Sequence, residues 1–340
     1  MKKLEVGVLG LVHDHLWSNL RILGSMENAE VTCAADPNRP LLEQVKRMGV
    51  RKTYKRYEDL LSKEDLDAVL VYTENGRAAH VTEAAAERGL HVMTEKPMAA
   101  TLEQAQRMHR VAEKNGIRLM VNFPTTWSPA IRHAGQLAKE GAIGHIYQVW
   151  RRTGHKGPKE IGCSPYFYRW LYDEKLNGAG AYMDFCCYGV NICRWILGTA
   201  EKATALEGTY VRDYLKVDDN AVLLLGYKKA MGVLEGTWSQ IGEGGPVQYQ
   251  CILRGSEGTI AVSQDVQVYS EKNEGWKKID PPPLEEGRQN GPQHFIRCIL
   301  KDEAFEDTVS AKFNVDVQAM LEAGLVSMRE NRTVPIKELI

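Results

Sequence analysis

An amine, a carboxyl and a phenol that lie far apart along this chain could together move a proton. Lys96 stands in Glu95-Lys96-Pro97, directly after an apolar run (residues 91–94) that reads as a strand. In an open α/β sheet ligands sit beyond the carboxyl ends of the strands, so a lysine there points into a cleft. Pro97 fixes the backbone beside it and permits a cis peptide. Taken alone, the tripeptide equally describes a surface lysine before a loop. Asp184 and Tyr188 fall four apart in a helical pattern over 182–197, so they share one face, and Asn191 lies on it too. A polar stripe on an otherwise apolar helix is costly unless it lines a cavity or is fully hydrogen-bonded. The small residues Gly178-Ala179-Gly180-Ala181 let this helix approach another backbone closely.

A second group of residues could hold a nucleotide. Gly10 ends a strand-like run and precedes a helical pattern over 16–25; Asp36 ends the next strand, 26 residues on. In this layout pyrophosphate meets free N–H groups at a helix N-terminus, and an acid at the second strand tip holds the ribose hydroxyls. A G-x-G-x-x-G reading from Gly10 requires glycine at 12 and 15, where the chain has Val12 and His15. The strand–helix–strand context and Asp36 therefore carry the reading. A carboxylate at 36 repels a 2′-phosphate, which favours NAD over NADP, and Arg39 softens that preference. His13 and His15 form an HxH pair, but no third ligand follows at helix spacing, so no metal is assigned. The two histidines are expected to fill the space of the missing glycines or to hydrogen-bond phosphate or substrate.

The elements that must position these groups differ between the two parts of the chain. Up to residue 123, continuous apolar strands (6–10, 31–35, 68–72, 91–94, 119–123) alternate with helical patterns, which implies a parallel sheet covered on both faces. Thr101 is placed to cap the helix that ends at Asn115-Gly116. From 124 to 340, runs with period-two alternation (146–152, 203–211, 221–227, 232–238, 247–253) and Gly turns predict a mostly antiparallel open sheet, with helices near 129–140, 182–197 and 315–329. Two domains, 1–123 and 124–340, suit 340 residues. The formal net charge of −1 offers no footprint for nucleic acid or an anionic membrane, and no apolar run reaches the ~18 residues of a span. The N-terminus does not read as a signal peptide, and seven unpaired-looking cysteines suit a cytoplasmic protein with reduced thiols.

The chain resembles the Gfo/Idh/MocA oxidoreductases, the group of glucose–fructose oxidoreductase and inositol dehydrogenase. The resemblance runs through the Gly10 turn, Ala35-Asp36-Pro37, Tyr57-Glu58-Asp59-Leu60-Leu61, Asp67-Ala68-Val69, Thr73-Glu74-Asn75, Gly89-Leu90-His91-Val92, Glu95-Lys96-Pro97, Gly141-Ala142-Ile143-Gly144 and the 178–191 segment. It implies an α/β Rossmann domain that binds NAD (NADP possible) through Gly10, Val12, His13, Asp36, Pro37, Arg39, Thr73, Glu74, Asn75, Glu95 and Lys96. It also implies a substrate-binding and oligomerisation domain whose open sheet builds a homodimer or homotetramer. The family's catalytic lysine and aspartate map onto Lys96 and Asp184, and Tyr188 stands where many members have histidine, as in a sugar-oxidising branch. Val12, His15, Ala78 (with His80 displaced) and the arginine-free 121–126 segment depart from the family's pattern. The implied reaction is hydride transfer between nicotinamide and a secondary alcohol of a sugar or polyol. A redox-assisted glycoside-processing enzyme and a non-catalytic sugar-sensing regulator are the alternatives. The Lys96 ammonium is expected to lower the Tyr188 pKa so that the phenol serves as base, with Lys96 as the other candidate base. Substrate contacts are expected from Lys96, Asp184, Tyr188, Trp127, and Tyr168 and Arg169 of an aromatic-rich stretch, with Arg152, His155 and Trp238 as weaker candidates.

Overall fold

The computed structural model describes residues 3–242, 250–263, 265–271 and 273–340. Its first part alternates β1 (Leu4–Leu9), α1 (His15–Gly24), β2 (Ala29–Ala35), α2 (Arg39–Arg47), β3 (Lys52–Tyr54), α3 (Tyr57–Lys63), β4 (Ala68–Val71), α4 (Asn75–Ala86), β5 (His91–Glu95), α5 (Leu102–Lys114) and β6 (Leu119–Asn122). The strands are aliphatic because helices cover both faces: Val6, Val8, Leu9, Val69, Leu70, Val92 and Val121 are all fully buried. The sheet is parallel throughout, in the order β3-β2-β1-β4-β5-β6. Strand order reverses between β1 and β4, which opens a crevice above their carboxyl ends. Gly10, Thr73 and Glu95 stand at that rim. Thr101 caps α5 as expected, accepting from the Gln104 N–H. Strand β3 and helix α3 were not expected; three residues at a sheet edge are too short to display a period.

The second part holds α6 (Pro129–Lys139), β7 (Ile146–Gly154), α7 (Pro165–Leu171), α8 (Glu174–Asn177), a π-turn (Tyr182–Cys186), α9 (Cys187–Leu197), β8 (Lys202–Gly208), β9 (Asn220–Gly226), β10 (Met231–Thr237), β11 (Gln250–Gly255), β12 (Gly258–Val262), β13 (Val266–Ser270), β14 (Asn273–Ile279), α10 (Gly291–Lys301), α11 (Ala311–Glu330) and β15 (Val334–Pro335). Nine strands run in the order β14-β13-β12-β11-β7-β10-β9-β8-β15. Only the β7–β10 pair is parallel among the described strand pairs of this sheet. The expected run over 203–211 stops at Gly208, and the one over 247–253 begins outside the described residues. Strands β12 to β14 were not expected.

Period-two alternation sorts this sheet's faces. Ala221, Leu223 and Leu225 of β9 point inward, where the π-turn and α11 cover them, while Val222 and Leu224 point out. The outer face also shows Leu206, Met231, Tyr269 and Trp276 to solvent. The π-turn lies against β9 and β10, and close approach there depends on glycine. A Cβ on Gly180 would stand 2.0 Å from the Asp218 carbonyl oxygen. Backbone cannot yield as a flexible side chain would, so Gly180→Ala should destabilise the protein by about 1–3 kcal/mol. Urea unfolding followed by circular dichroism measures this; a variant as stable as the parent would refute the close-approach argument.

Candidate active site

Lys96 follows β5 and reaches across to the second part of the chain. Its ammonium donates to Asp184 Oδ1 at 2.6 Å and to the Asp184 carbonyl oxygen at 3.1 Å. The other carboxylate oxygen, Oδ2, accepts from Trp238 Nε1 at 3.0 Å. Both charged side chains are buried. Burial favours neutral forms, but the pair's mutual attraction outweighs it: Asp184 holds Lys96 well above the usual lysine range, and Lys96 holds Asp184 below the usual carboxylate range. The site therefore rests as ammonium and carboxylate.

Tyr188 joins them differently from expectation. The Lys96 ammonium lies 4.7 Å from the centre of the Tyr188 ring, over its π face. Burial raises the phenol's pKa, and the ammonium's opposing effect does not overcome it. The phenol thus stays neutral and is not a ready base. Asn191 also leaves the expected stripe: its side-chain amide donates to the Thr308 carbonyl at 2.8 Å, in a satisfied buried network. The π-turn shifts the helix phase between Asp184 and the residues that follow.

Lys96, Asp184 and Tyr188 line one cavity of about 430 Å³. Asp14 and His15 enter it from the turn after β1; Arg151, Thr153 and His155 enter from the end of β7; Phe167 and Phe185 add apolar wall. The His155 ring meets Phe185 edge-on at 4.9 Å. Arg151, Thr153, Phe167 and Phe185 were not singled out from sequence. The signal was present for two of them: period two puts Arg151 and Thr153 on the same face as buried Val149, an unusual place for a guanidinium. Tyr168 and Arg169 do not line the cavity. Arg169 is exposed, and Tyr168 packs on Tyr172 at 5.7 Å, because α7 turns Phe167 and Trp170 inward instead. Trp127 lies in adjoining cavities, donating to Asn122 Oδ1 at 3.3 Å, and Arg152 faces Glu235.

The turn after β1 keeps the shape of a dinucleotide loop despite its lost glycines. Gly10 has φ +83°, and a Cβ there would lie 2.8 Å from the Thr73 nitrogen. Asp36 is fully buried and accepts from the Leu11 N–H at 2.7 Å and the Asn38 N–H at 2.7 Å. Burial raises its pKa against those hydrogen bonds. Burial likewise lowers the pKa of His13, which packs on Phe167 at 4.6 Å. Asn75 donates to Asn177 Oδ1 at 2.8 Å, and Ser164 N–H donates to Asp14 at 2.7 Å, so both sides of the crevice are tied to the second part of the chain. Arg39 is exposed on α2. His15 pairs with Glu95 across 3.0 Å.

Such a crevice, with a buried lysine–aspartate pair at its mouth, suits the class of nicotinamide-dependent oxidoreductases with a Rossmann domain. A family model described as an oxidoreductase family with an NAD-binding Rossmann fold matches residues 4–123, and one described as the GFO/IDH/MocA C-terminal domain matches residues 131–261. The chain belongs to the Gfo/Idh/MocA oxidoreductase family. It is 27% identical to D-apiose dehydrogenase of Paraburkholderia graminis, over 96% of this chain and 87% of that one. It is 23% identical to the NAD-dependent scyllo-inositol 2-dehydrogenase of Bacillus subtilis, over 97% and 94%. The same fold is seen in an oxidoreductase from Agrobacterium radiobacter solved with NAD, L-tartaric acid and magnesium, with a TM-score of 0.85, 21% identity and full coverage of both chains. The first domain is an NAD-binding Rossmann domain. The turn fits that cofactor: among the described residues no protein acceptor takes the N–H groups of Val12, His13 and Asp14 at the opening of α1.

Asp218 supports the π-turn from behind. Its carboxyl accepts from the Gly180 N–H at 2.5 Å and the Tyr182 N–H at 2.6 Å. Burial, with Glu207 nearby, pushes its pKa up to about 7 from an ordinary 3.8. The folded protein thus binds more protons here than the unfolded chain at intermediate pH. This contribution is full below about pH 4 and is lost as pH rises through 7. The urea midpoint should fall between pH 5 and pH 8, and Glu207→Gln should flatten that fall. An equally steep fall in the variant would remove Glu207 from the account.

Proposed function

We propose that this protein is an NAD-dependent dehydrogenase that interconverts a secondary alcohol and a ketone on a sugar or cyclitol, with NADP as a possible second cofactor. The observation that carries the reading is the buried Lys96–Asp184 pair lining a cavity beside the rim of the NAD-binding crevice. The relatives that act on D-apiose and scyllo-inositol support the substrate class. NAD, when bound, supplies the hydride acceptor. After the Gly10 turn the backbone N–H groups of Val12 and His13 would hold its pyrophosphate and Asp36 a ribose, with Pro37 and Arg39 flanking. Thr73, Glu74, Asn75, Glu95 and Lys96 would stand toward the reacting end.

Lys96 carries the proton. In the reductive direction its ammonium donates to the carbonyl oxygen as charge develops there; in the oxidative direction the ammonium must first release a proton to solvent through the cavity, and the amine so formed takes the hydroxyl proton. Asp184 keeps that nitrogen charged and aimed, and Trp238 keeps Asp184 from turning. Tyr188, neutral, hydrogen-bonds the substrate hydroxyl. His155, Arg151 and Thr153 give the cavity polar groups for further hydroxyls. The outer face of the second sheet, with Leu206, Leu224, Met231 and Trp276 exposed, suits contact with a second copy of the chain. Among the described residues no helix is long and apolar enough to cross a membrane. The seven cysteines are free, in keeping with a cytoplasmic enzyme.

A screen of sugars, sugar acids and inositols with added NAD tests the reading by NADH accumulation, which an internal redox cycle or a sensor would not give. Lys96→Gln, which keeps a donor to Asp184, should lower kcat by about 10²–10⁴-fold. Tyr188→Phe should lower it by only roughly tenfold, the worth of one hydrogen bond. Equal losses in the two variants would return the proton to the phenol.

A further inference from the structure

His15 occupies the position at which a dinucleotide turn takes its third glycine, and its ring is turned toward Glu95. His15 Nδ1 lies 3.0 Å from Glu95 Oε2. His13 stands beside it with ring centres 4.5 Å apart. Nδ1 of His13 accepts the His15 backbone N–H at 3.3 Å, so an ion would take Nε2 of that ring or displace this long hydrogen bond. One donor atom from each of His13, His15 and Glu95 lies within 4.8 Å of the others. The third ligand missing at helix spacing arrives from the end of β5, 80 residues further along.

We propose that His13, His15 and Glu95 bind one divalent transition-metal ion of the zinc type, whose open positions face the Lys96 cavity and take an oxygen of the substrate. Two imidazoles and one carboxylate are a donor set that zinc uses where it keeps an open position. Two such donors on one tetrahedral ion stand about 3.3 Å apart, given bonds near 2.0–2.1 Å. His15 and Glu95 lie about that far apart; His13, whose donor atom is within 4.8 Å of theirs, would have to close the remaining gap on binding. Two imidazole nitrogens disfavour magnesium and calcium, which take oxygen ligands.

The surroundings are those of a held ligand set. Glu95 Oε1 accepts from Asn122 Nδ2 at 2.8 Å, and Trp127 Nε1 holds Asn122 in turn at 3.3 Å, which leaves Oε2 for the ion. Glu95 is 4% exposed, whereas the His15 side chain is 38% exposed and borders the cavity that Lys96 lines. A ligand therefore reaches the ion from the substrate side. On binding, the ion replaces the hydrogen bond between His15 and Glu95, and any proton on the ligating nitrogen passes to solvent.

The substrate-oxygen role rests on the proposed function, whereas the ion site itself is tested with neither NAD nor turnover, so the two can fail separately. Chelator-stripped full-length protein is titrated with Zn²⁺ by calorimetry and with Co²⁺ by its visible d–d bands. One ion per chain is expected, with low-symmetry cobalt bands. His15→Gln, which keeps a hydrogen bond to Glu95, and Glu95→Gln should each weaken Zn²⁺ binding by about 100-fold or more, Asn122→Ala by about 10–100-fold, and His133→Ala not at all. Circular dichroism confirms that each variant is folded. Failure to take up an ion, or uptake unchanged in folded His15→Gln and Glu95→Gln, would overturn the proposal and leave His15–Glu95 as a plain hydrogen-bonded pair.

Discussion

A single buried ion pair organises this molecule. Lys96 and Asp184 come from opposite halves of the chain, and neither tolerates burial alone. Removing one partner of such a pair typically costs ~3–5 kcal/mol, because the other is left charged in a poor solvent. The pair therefore acts as a constraint on the fold as well as a chemical device. The end of β5 must face the π-turn, and the π-turn must lie close to β10 so that Trp238, just beyond it, can occupy the second carboxylate oxygen. Gly180 and the carboxyl of Asp218 make that placement possible from behind. Chemistry and packing thus make the same demand on the same residues.

The crevice shows how the Rossmann layout survives the loss of its usual glycines. The one glycine that strain requires, Gly10, is kept. Val12 and His15 replace glycines whose task is to clear space, and the space is used: His13 is packed among Phe167, Trp170 and Tyr72, while His15 faces Glu95. The turn has changed from a bare backbone cradle into one that carries side chains into the cavity. Its anion-binding character rests on N–H groups, which any residue but proline supplies.

Much of this was legible in the sequence, and the limits were physical. Continuous aliphatic runs announced the parallel strands, since burial on both faces leaves no alternation to confuse the reading. Lys96, Asp184 and Tyr188 were legible as partners because polar groups on buried surfaces must find one another. Spacing sets the phase of a side chain on its own element; it does not say which atom meets a neighbour 88 residues away. That is why the ammonium over the Tyr188 ring, and the burial that keeps the phenol neutral against it, stayed hidden. The π-turn changed the helix phase enough to send Asn191 into a private network. Tyr168 and Arg169 belong to a short helix whose inward residues are their neighbours, and a seven-residue helix displays too little period to choose. The meeting of His13 and His15 with Glu95 was invisible for the same reason as the geometry of Lys96 with Tyr188: it is made by strand order, not by proximity along the chain.

The ties between the β1 turn and the 164–178 segment carry one further consequence. Ser164 holds Asp14, Asn177 holds Asn75, and Gly76 lies so near the Lys175 carbonyl that a Cβ would stand 2.4 Å from it. The wall that a sugar would touch and the turn that a nucleotide would touch are therefore parts of one rigid contact. A displacement of one that carried the other with it would link their occupants thermodynamically. Linkage of this kind is reciprocal, which means that the order in which two ligands arrive cannot alter the total coupling between them.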